Sequence, residues 1–158
     1  MQPFQVPLII GVTGHRQIAA DCTEAIETAV VSILEGVRTK APDTPLLLLT
    51  GLAEGADRLA ARLARERFGA DLVVVLPRAA ESYRNDFATA DSQEEFNRLL
   101  ASARVVFSPP EHHPDPTVGY SWAGNFTAIH SHLLIALWDG DEARGDGGTA
   151  EIVAAKLK

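Results

Sequence analysis

Carboxylates and glycines stand side by side in one stretch of this 158-residue chain, ALWDGDEARGDGGTAEI at 136–152. Carboxylates accept hydrogen bonds from sugar hydroxyls or attack an anomeric carbon, whereas glycines let backbone N–H groups close on a phosphate. The G-x-x-x-x-G spacing from Gly140 to Gly145 imitates a Walker loop, but Asp146 occupies the lysine slot and the match fails. What remains is GDGGT running into a helix that starts at Thr149. Gly147, Gly148 and the Thr149 hydroxyl make an expected anion nest at that helix start. Asp139 ends the preceding strand and suits ribose hydroxyls, while Arg144 or Arg16 supplies positive charge. A nucleotide or a nucleotide sugar offers both kinds of group.

Two other loops carry the same mixture. In GVTGHRQ, Gly11 and Gly14 permit close backbone approach, and Thr13, His15 and Arg16 are polar groups just past a strand. The spacing lacks the third glycine of a dinucleotide fingerprint. A ligand loop and a tight turn with exposed polar residues both fit it. In TGLAEGADRLAARLA, Gly51 and Gly55 flank a helix start near Glu54, where free N–H groups and the dipole favour an anion. Glu54 and Asp57 could satisfy that dipole themselves, with Arg58 neutralising them or meeting a ligand.

The elements that must position these loops are legible as short apolar runs: PLIIGVT at 7–13, PLLLLT at 45–50, DLVVVLP at 71–77, HLLIALWD at 132–139 and, more weakly, ARVVFS at 103–108. Helical spacing separates them. Ile26, Val30, Ile33, Leu34 and Val37 share one face, with Asp21 and Glu24 as a capping box. Ala56, Leu59, Ala60, Leu63 and Ala64 form a small-residue face. Ser92 and Glu95 read as the cap of a helix presenting Phe96, Leu99, Leu100 and Ala103. A fourth helix is expected from about Tyr120 to Ser131, with Trp122, Phe126 and Ile129 inward. Alternation of this kind predicts a single α/β domain over 1–158, Rossmann-like and doubly wound. Its five-stranded sheet is mostly parallel, with helices on both faces. Ligands of such sheets sit beyond the carboxyl ends of the strands.

Composition narrows the function. Hydrophobic residues make up 46% and the net charge is −7, which disfavours disorder and a duplex nucleic-acid partner. Cys22 is the only cysteine, which excludes an intrachain disulfide and fits a reducing compartment; it is expected to pack. No secretory leader is visible and no apolar run approaches roughly 20 residues, so a cytoplasmic protein without a membrane partner is expected. His112, His113, His130 and His132 lack metal-site spacing, and neither a metal nor a cofactor is expected. Tyr83, Arg84, Asp86, Tyr120 and Asn125 are placed to line the pocket, and Trp122 reads as a core anchor rather than a stacking surface.

Together, GVTGHR, TGLAEGADRLAARLA and LIALWDGDEARGDGGTAEIV resemble the SLOG superfamily, the Rossmann-like group of the lonely-guy phosphoribohydrolases and the DNA-processing protein A fold. The likeness is to bacterial members predicted to sense nucleotide-derived ligands. It implies a pocket for a nucleotide, cyclic nucleotide or ADP-ribose-like molecule, at the Gly51–Gly55 and Gly145–Thr149 loops. A fused or adjacent effector domain and self-association are further partners the resemblance allows. In the phosphoribohydrolase pattern G-G-x-G-T-x-x-E the glutamate would fall at Ile152, but here Glu151 stands one residue earlier, about 100° around a helix. Arg84 alone stands where those enzymes carry an arginine pair. LIALWDG…GGTAEI is also similar to nucleoside deoxyribosyltransferases and related N-glycosidases. That resemblance implies Glu151 as nucleophile and Asp139 as holder of a ribose hydroxyl. Binding without turnover is the favoured reading and N-glycosidase activity the alternative.

Overall fold

In a computed structural model of the chain, residues 5–110, 112–141 and 148–158 are described. The expectations for Arg144, Gly145, Asp146 and Gly147 lie outside those residues. The five apolar runs form β1 (Leu8–Gly14), β2 (Leu46–Thr50), β3 (Asp71–Val75), β4 (Val105–Phe107) and β5 (Leu133–Leu137). They make one sheet in the order β4-β3-β2-β1-β5, with every pair parallel. A 3-10 turn (Ala20–Cys22) precedes α1 (Thr23–Lys40), and α2 (Ala56–Phe68), α3 (Ala80–Arg84), α4 (Ala90–Ala101), α5 (Pro116–His130) and α6 (Thr149–Lys156) follow. This is the expected Rossmann-like α/β class.

Alternate residues along the strands feed two cores, because side chains of a strand point to opposite faces. On one face Ile10, Val12, Leu48, Leu72 and Val74 pack with Val30 and Leu34 of α1, Leu59, Ala60 and Ala64 of α2, and Phe96 and Leu99 of α4. On the other, Leu49, Val73 and Val75 meet Ala123, Trp122 and Phe126 of α5. The alanines of α2 bring that helix close to the sheet: Ala56, Ala60, Ala61 and Ala64 are all buried. A glycine at C′ in the left-handed region, Gly69 (φ +64), then ends α2, its N–H donating to the Ala64 and Arg65 carbonyls. The edge strand β4 is short, and Val105, Val106 and Phe107 are all exposed.

Several local expectations are corrected. Asp21 falls in the 3-10 turn, so α1 starts two residues later, behind Cys22 and without a side-chain cap. Cys22 is exposed rather than packed. The cap of α4 is Thr89, which accepts from the Ser92 N–H at 3.1 Å, because the helix begins before Ser92 and frees Ser92 and Glu95 for other contacts. The fourth expected helix starts earlier, at Pro116, since proline tolerates a first turn where no N–H is needed. Asp115 caps it by accepting from the Thr117 N–H at 2.9 Å. Ile129 does not face inward: it is 71% exposed, and the buried face of α5 is Gly119, Ala123, Gly124, Thr127 and Ala128.

Small residues on α5 set its distance from the sheet. A Cβ at Gly119 would run into the carbonyl of Pro77, and one at Gly124 would lie 2.6 Å from Ile152 Cγ1 of α6. Gly36 of α1, by contrast, has nothing within 4 Å of an added Cβ. Opposite signs are expected from the same substitution. Gly119→Ala should lose about 1–3 kcal/mol through overpacking against backbone. Gly36→Ala should gain about 0.5–1 kcal/mol from helix propensity. Urea midpoints at unchanged slope measure both.

Candidate functional site

The chain steps outward from β1 to β4 and then returns to lay β5 on the other side of β1. The order therefore reverses at β1, and the carboxyl end of that boundary is where open α/β sheets hold ligands. The exits of β1 and β5 are tied together there. The His15 N–H donates to the Leu137 carbonyl at 3.2 Å, and His15 Nε2 lies 3.2 Å from Asp139 Oδ1. The start of α2 joins the same knot, with the Ala56 N–H donating to the His15 carbonyl at 3.1 Å. Two glycines make this possible. A Cβ at Gly14 would overlap Ala56, and Gly55 (φ +77) lies against the carbonyls of His15 and Arg16. Gly140, at the β5 exit, also has a positive φ of 87°.

Beside this knot lies a cavity of about 100 Å³, walled by the β1 exit (Thr13, Gly14, Arg16), the β2 exit (Gly51, Ala53, Asp57) and α5 (Tyr120, Gly124, Thr127). Arg16 places its guanidinium 5.1 Å from the centre of the Tyr120 ring. Arg78, from the β3 exit, stands 5.8 Å from the same ring. Asp86 pairs with Arg78 and accepts from the Tyr120 hydroxyl, so one carboxylate ties the phenol to the β3 exit. Behind it the Tyr83 ring packs edge-on against Phe87 at 5.0 Å, and burial pushes its phenol far above the usual range, keeping it neutral.

Asp57 is the ionisable group most changed by its setting. Burial pushes its carboxyl from 3.8 up to about 6, against the opposing pull of the Ala53 and Gly51 N–H groups and of Arg16. Its Oδ2 accepts from Gly51 at 3.0 Å and from Ala53 at 3.4 Å. The β2 exit thus wraps around a carboxylate of its own helix. Leu52, fully buried at the centre of this wrap, adopts φ +54, a conformation costly for a branched side chain. Its N–H donates to Thr50 Oγ1, and its carbonyl accepts from Arg58 Nε, both at 3.0 Å.

Arg58 is structural in this arrangement. It is 2% exposed, lies 4.2 Å over the Phe87 ring, and donates to the Ser92 carbonyl and hydroxyl at 2.9 Å and to Glu95 at 3.2 Å. Glu54 accepts from the Ser92 hydroxyl. Burial alone would raise the Glu95 carboxyl, but the Arg62 and Arg58 guanidiniums hold it below the usual range.

Of the site residues expected from the sequence, Thr13, Gly14, Arg16 and Gly51 line the cavity, and His15, Gly55, Asp139 and Gly140 build the loops around it. Gly11 lies within β1, where its missing side chain makes room for Ser131 and Thr127. Gly148 is the N-cap residue of α6; its carbonyl accepts from the Glu151 and Ile152 N–H groups at 3.1 and 3.2 Å, and Thr149 is the first helical residue. Among the described residues, the cavity wall holds none of Asp139, Gly148 and Glu151. Pro77, Gly124 and Thr127 were not found from sequence, because their role follows from where α5 crosses the sheet rather than from residue type. The Thr50 hydroxyl and the carboxylate at Asp57 were visible as residues, but their bonds to the backbone were not.

A second cavity, of about 200 Å³, lies beside the proline-rich connection from β4 to α5, residues 108–115. The β3 exit (Pro77, Arg78, Ala79), loop residues Pro109, His112 and His113, and Val118 and Trp122 of α5 wall it. Sequence reading assigned Trp122 to the core; it packs against the α5 core cluster and also forms this wall.

The raised Asp57 carboxyl binds its proton more tightly in the folded chain than in the unfolded one. Its contribution to stability therefore falls as pH rises from about 4 to about 6, and is level above that range. Asp57→Asn keeps an acceptor for the loop and removes the titration. The stability difference between variant and wild type should move in favour of the variant across that window, then stop changing. Denaturant midpoints at pH 4, 5, 6 and 7 measure it, and a difference that is flat across the window would rule it out.

No protein-family model and no curated protein matches the sequence significantly. Among solved structures, the chain is similar to DNA processing protein A from Helicobacter pylori, described for its single-stranded DNA binding mode. The identity is 12% and the TM-score 0.61, over 94% of this chain and 60% of that one. It is also similar to TM1055, a structural-genomics target, at 12% identity and a TM-score of 0.53, over 94% of this chain and 68% of that one. Among the described residues, no helix is long and apolar enough to cross a membrane. The partner expectation is corrected by the first likeness. That expectation took a nucleotide-derived small molecule as partner and considered nucleic acid only as a duplex, yet a protein of this fold binds single-stranded DNA. Net charge governs attraction to the dense phosphate field of a duplex, whereas a single strand is held by a local groove and stacked rings, which an acidic chain can carry. At this identity the likeness is one of fold, and the chain shares its Rossmann-like fold with DNA processing protein A.

Proposed function

We propose that residues 1–158 act as one binding domain whose cavity at the β1 and β2 exits receives the phosphate of a nucleotide unit, free or within a single strand, without turning it over. The observation that carries this reading is Arg16. It is a guanidinium held over the Tyr120 ring, at a cavity lined also by Gly14, Gly51 and Gly124 and by the Asp57 carboxyl, whose charge it meets. A guanidinium at the carboxyl end of the strands suits a phosphate, which accepts charge-assisted hydrogen bonds from any side. Thr13 lines the same wall. The likeness in fold to a single-stranded DNA binder supports including the strand as a source of that phosphate. Glu151 and Asp139 stand outside the cavity wall, which favours binding over glycosidic cleavage there.

Calorimetry with nucleoside 5′-monophosphates, and in parallel with a short single-stranded oligonucleotide, separates the two sources. Arg16→Ala should weaken whichever binds by at least tenfold, about 1.4 kcal/mol, and by more at low salt, where the charge is least screened. Equal affinity of wild type and variant, with the fold intact, would place the ligand elsewhere. Glu151→Gln should leave affinity within a few-fold, and neither protein should release free base from a nucleotide. Base release by the wild type that is lost in this variant would establish the N-glycosidase instead.

A further inference from the structure

The two cavities differ in chemistry and share a wall. The one beside Arg16 holds about 100 Å³ and the one beside Trp122 about 200 Å³. Sites that enclose a whole drug-sized ligand run to about 300–1,000 Å³, so neither cavity alone holds a complete nucleotide. Pro77 lines both. Between them the Gly119 backbone closes on the Pro77 carbonyl, and at the rim the Tyr120 ring and the Arg78 guanidinium lie 5.8 Å apart. A ligand reaching from one cavity to the other would cross that ring.

The larger cavity suits a mainly apolar group. Pro109, Val118 and Trp122 give it carbon walls, and an indole is a ring on which a base can stack. Its hydrogen-bonding side chains are those of Arg78, Ser108, His112, His113 and Asp115. Arg78 is committed to Asp86. His113 accepts the Asp115 N–H on Nδ1 at 3.1 Å, which in the neutral ring puts the proton on Nε2 as a donor. Among the described residues, no cluster of His, Cys, Asp or Glu is suited to a metal ion, although His112, His113 and Asp115 all line this cavity. Mainly apolar walls with neutral hydrogen-bonding groups beside them match a nucleobase better than a second phosphate or an ion.

We infer that the Trp122 cavity is a nucleobase subsite for the nucleotide unit whose phosphate meets Arg16, so that one ligand spans both cavities across Tyr120. This inference rests on the proposed function above. Trp122 reports on its own occupancy once Trp138, the other tryptophan, is replaced by phenylalanine. In that background, nucleoside 5′-monophosphates or a deoxythymidine octanucleotide should quench Trp122 emission on binding. Ribose 5-phosphate should bind without quenching. Ala79→Phe fills the cavity from an exposed position and leaves the Trp122 packing in place. It should lower nucleotide affinity at least tenfold and leave ribose 5-phosphate affinity within twofold. Nucleotide binding with no quench and no effect of Ala79→Phe would overturn the base subsite while leaving the phosphate reading in place. Failure of the monophosphates, the octanucleotide and ribose 5-phosphate to bind at all would overturn both.

Discussion

A single backbone contact governs the carboxyl edge of this sheet: the Ala56 N–H donating to the His15 carbonyl, with Gly14 and Gly55 bare enough to let the two segments touch. It binds the β1 exit to the start of α2, and the β5 exit is bonded to the same turn through His15. Three loops that leave separate strands are thereby held as one surface. Arg16 owes its position over Tyr120 to being the next residue along this turn. A bulkier residue at position 14 or 55 would part the loops before it touched any ligand, so these glycines belong to the scaffold first and to the cavity second.

The adjacent pair Asp57 and Arg58 resolves the problem that such a surface creates. Loops turning at the end of a buried strand leave backbone N–H and C=O groups that must be satisfied away from water. Asp57 takes two of the N–H groups and Arg58 takes the Leu52 carbonyl. Neighbours in sequence on a helix diverge by about 100°, which lets one side chain serve the loop from below while the other runs across to α4. The cost is a buried carboxyl held out of its normal range and a leucine in a left-handed conformation. Strain of this kind persists only where surrounding contacts over-determine it, as Arg58 and Thr50 do here.

The architecture was legible because each strand is a continuous apolar run and each connection repeats at helical spacing. The small-residue face of α2 announced a close helix–sheet contact, which the buried Ala56, Ala60 and Ala64 fulfil. Helix starts were less legible. Asp21 and Glu24 have the spacing of a capping box, but a 3-10 turn consumes Asp21, and tertiary demand from Arg58 recruits Ser92 and Glu95 away from their own helix. At the site, the exit loops of β1 and β2 were found from their glycines and polar residues. From α5, Tyr120 was placed at the pocket but Gly124 and Thr127 were not, because they meet the cavity only through the angle at which that helix crosses the sheet, and a single sequence carries no record of crossing angles. The four prolines of SPPEHHPDPTVG at 108–119 spoke only against regular structure, for a related reason: Pro109, His112 and His113 acquire a role only once Trp122 stands opposite them.

The shortness of β4 has a consequence for how the molecule behaves in a crowded solution. Three apolar, exposed residues at the rim of a parallel sheet would be an invitation to another chain's backbone if the strand ran on. It does not. Arg104 precedes it, tied to Asp71 at 2.8 Å, and Pro109 and Pro110 follow within three residues, neither of which can donate to a ladder. An incoming strand would find too few rungs to hold and a charge at one end. The prolines that shape the loop above Trp122 therefore also guard the edge beneath it against growing into a fibril.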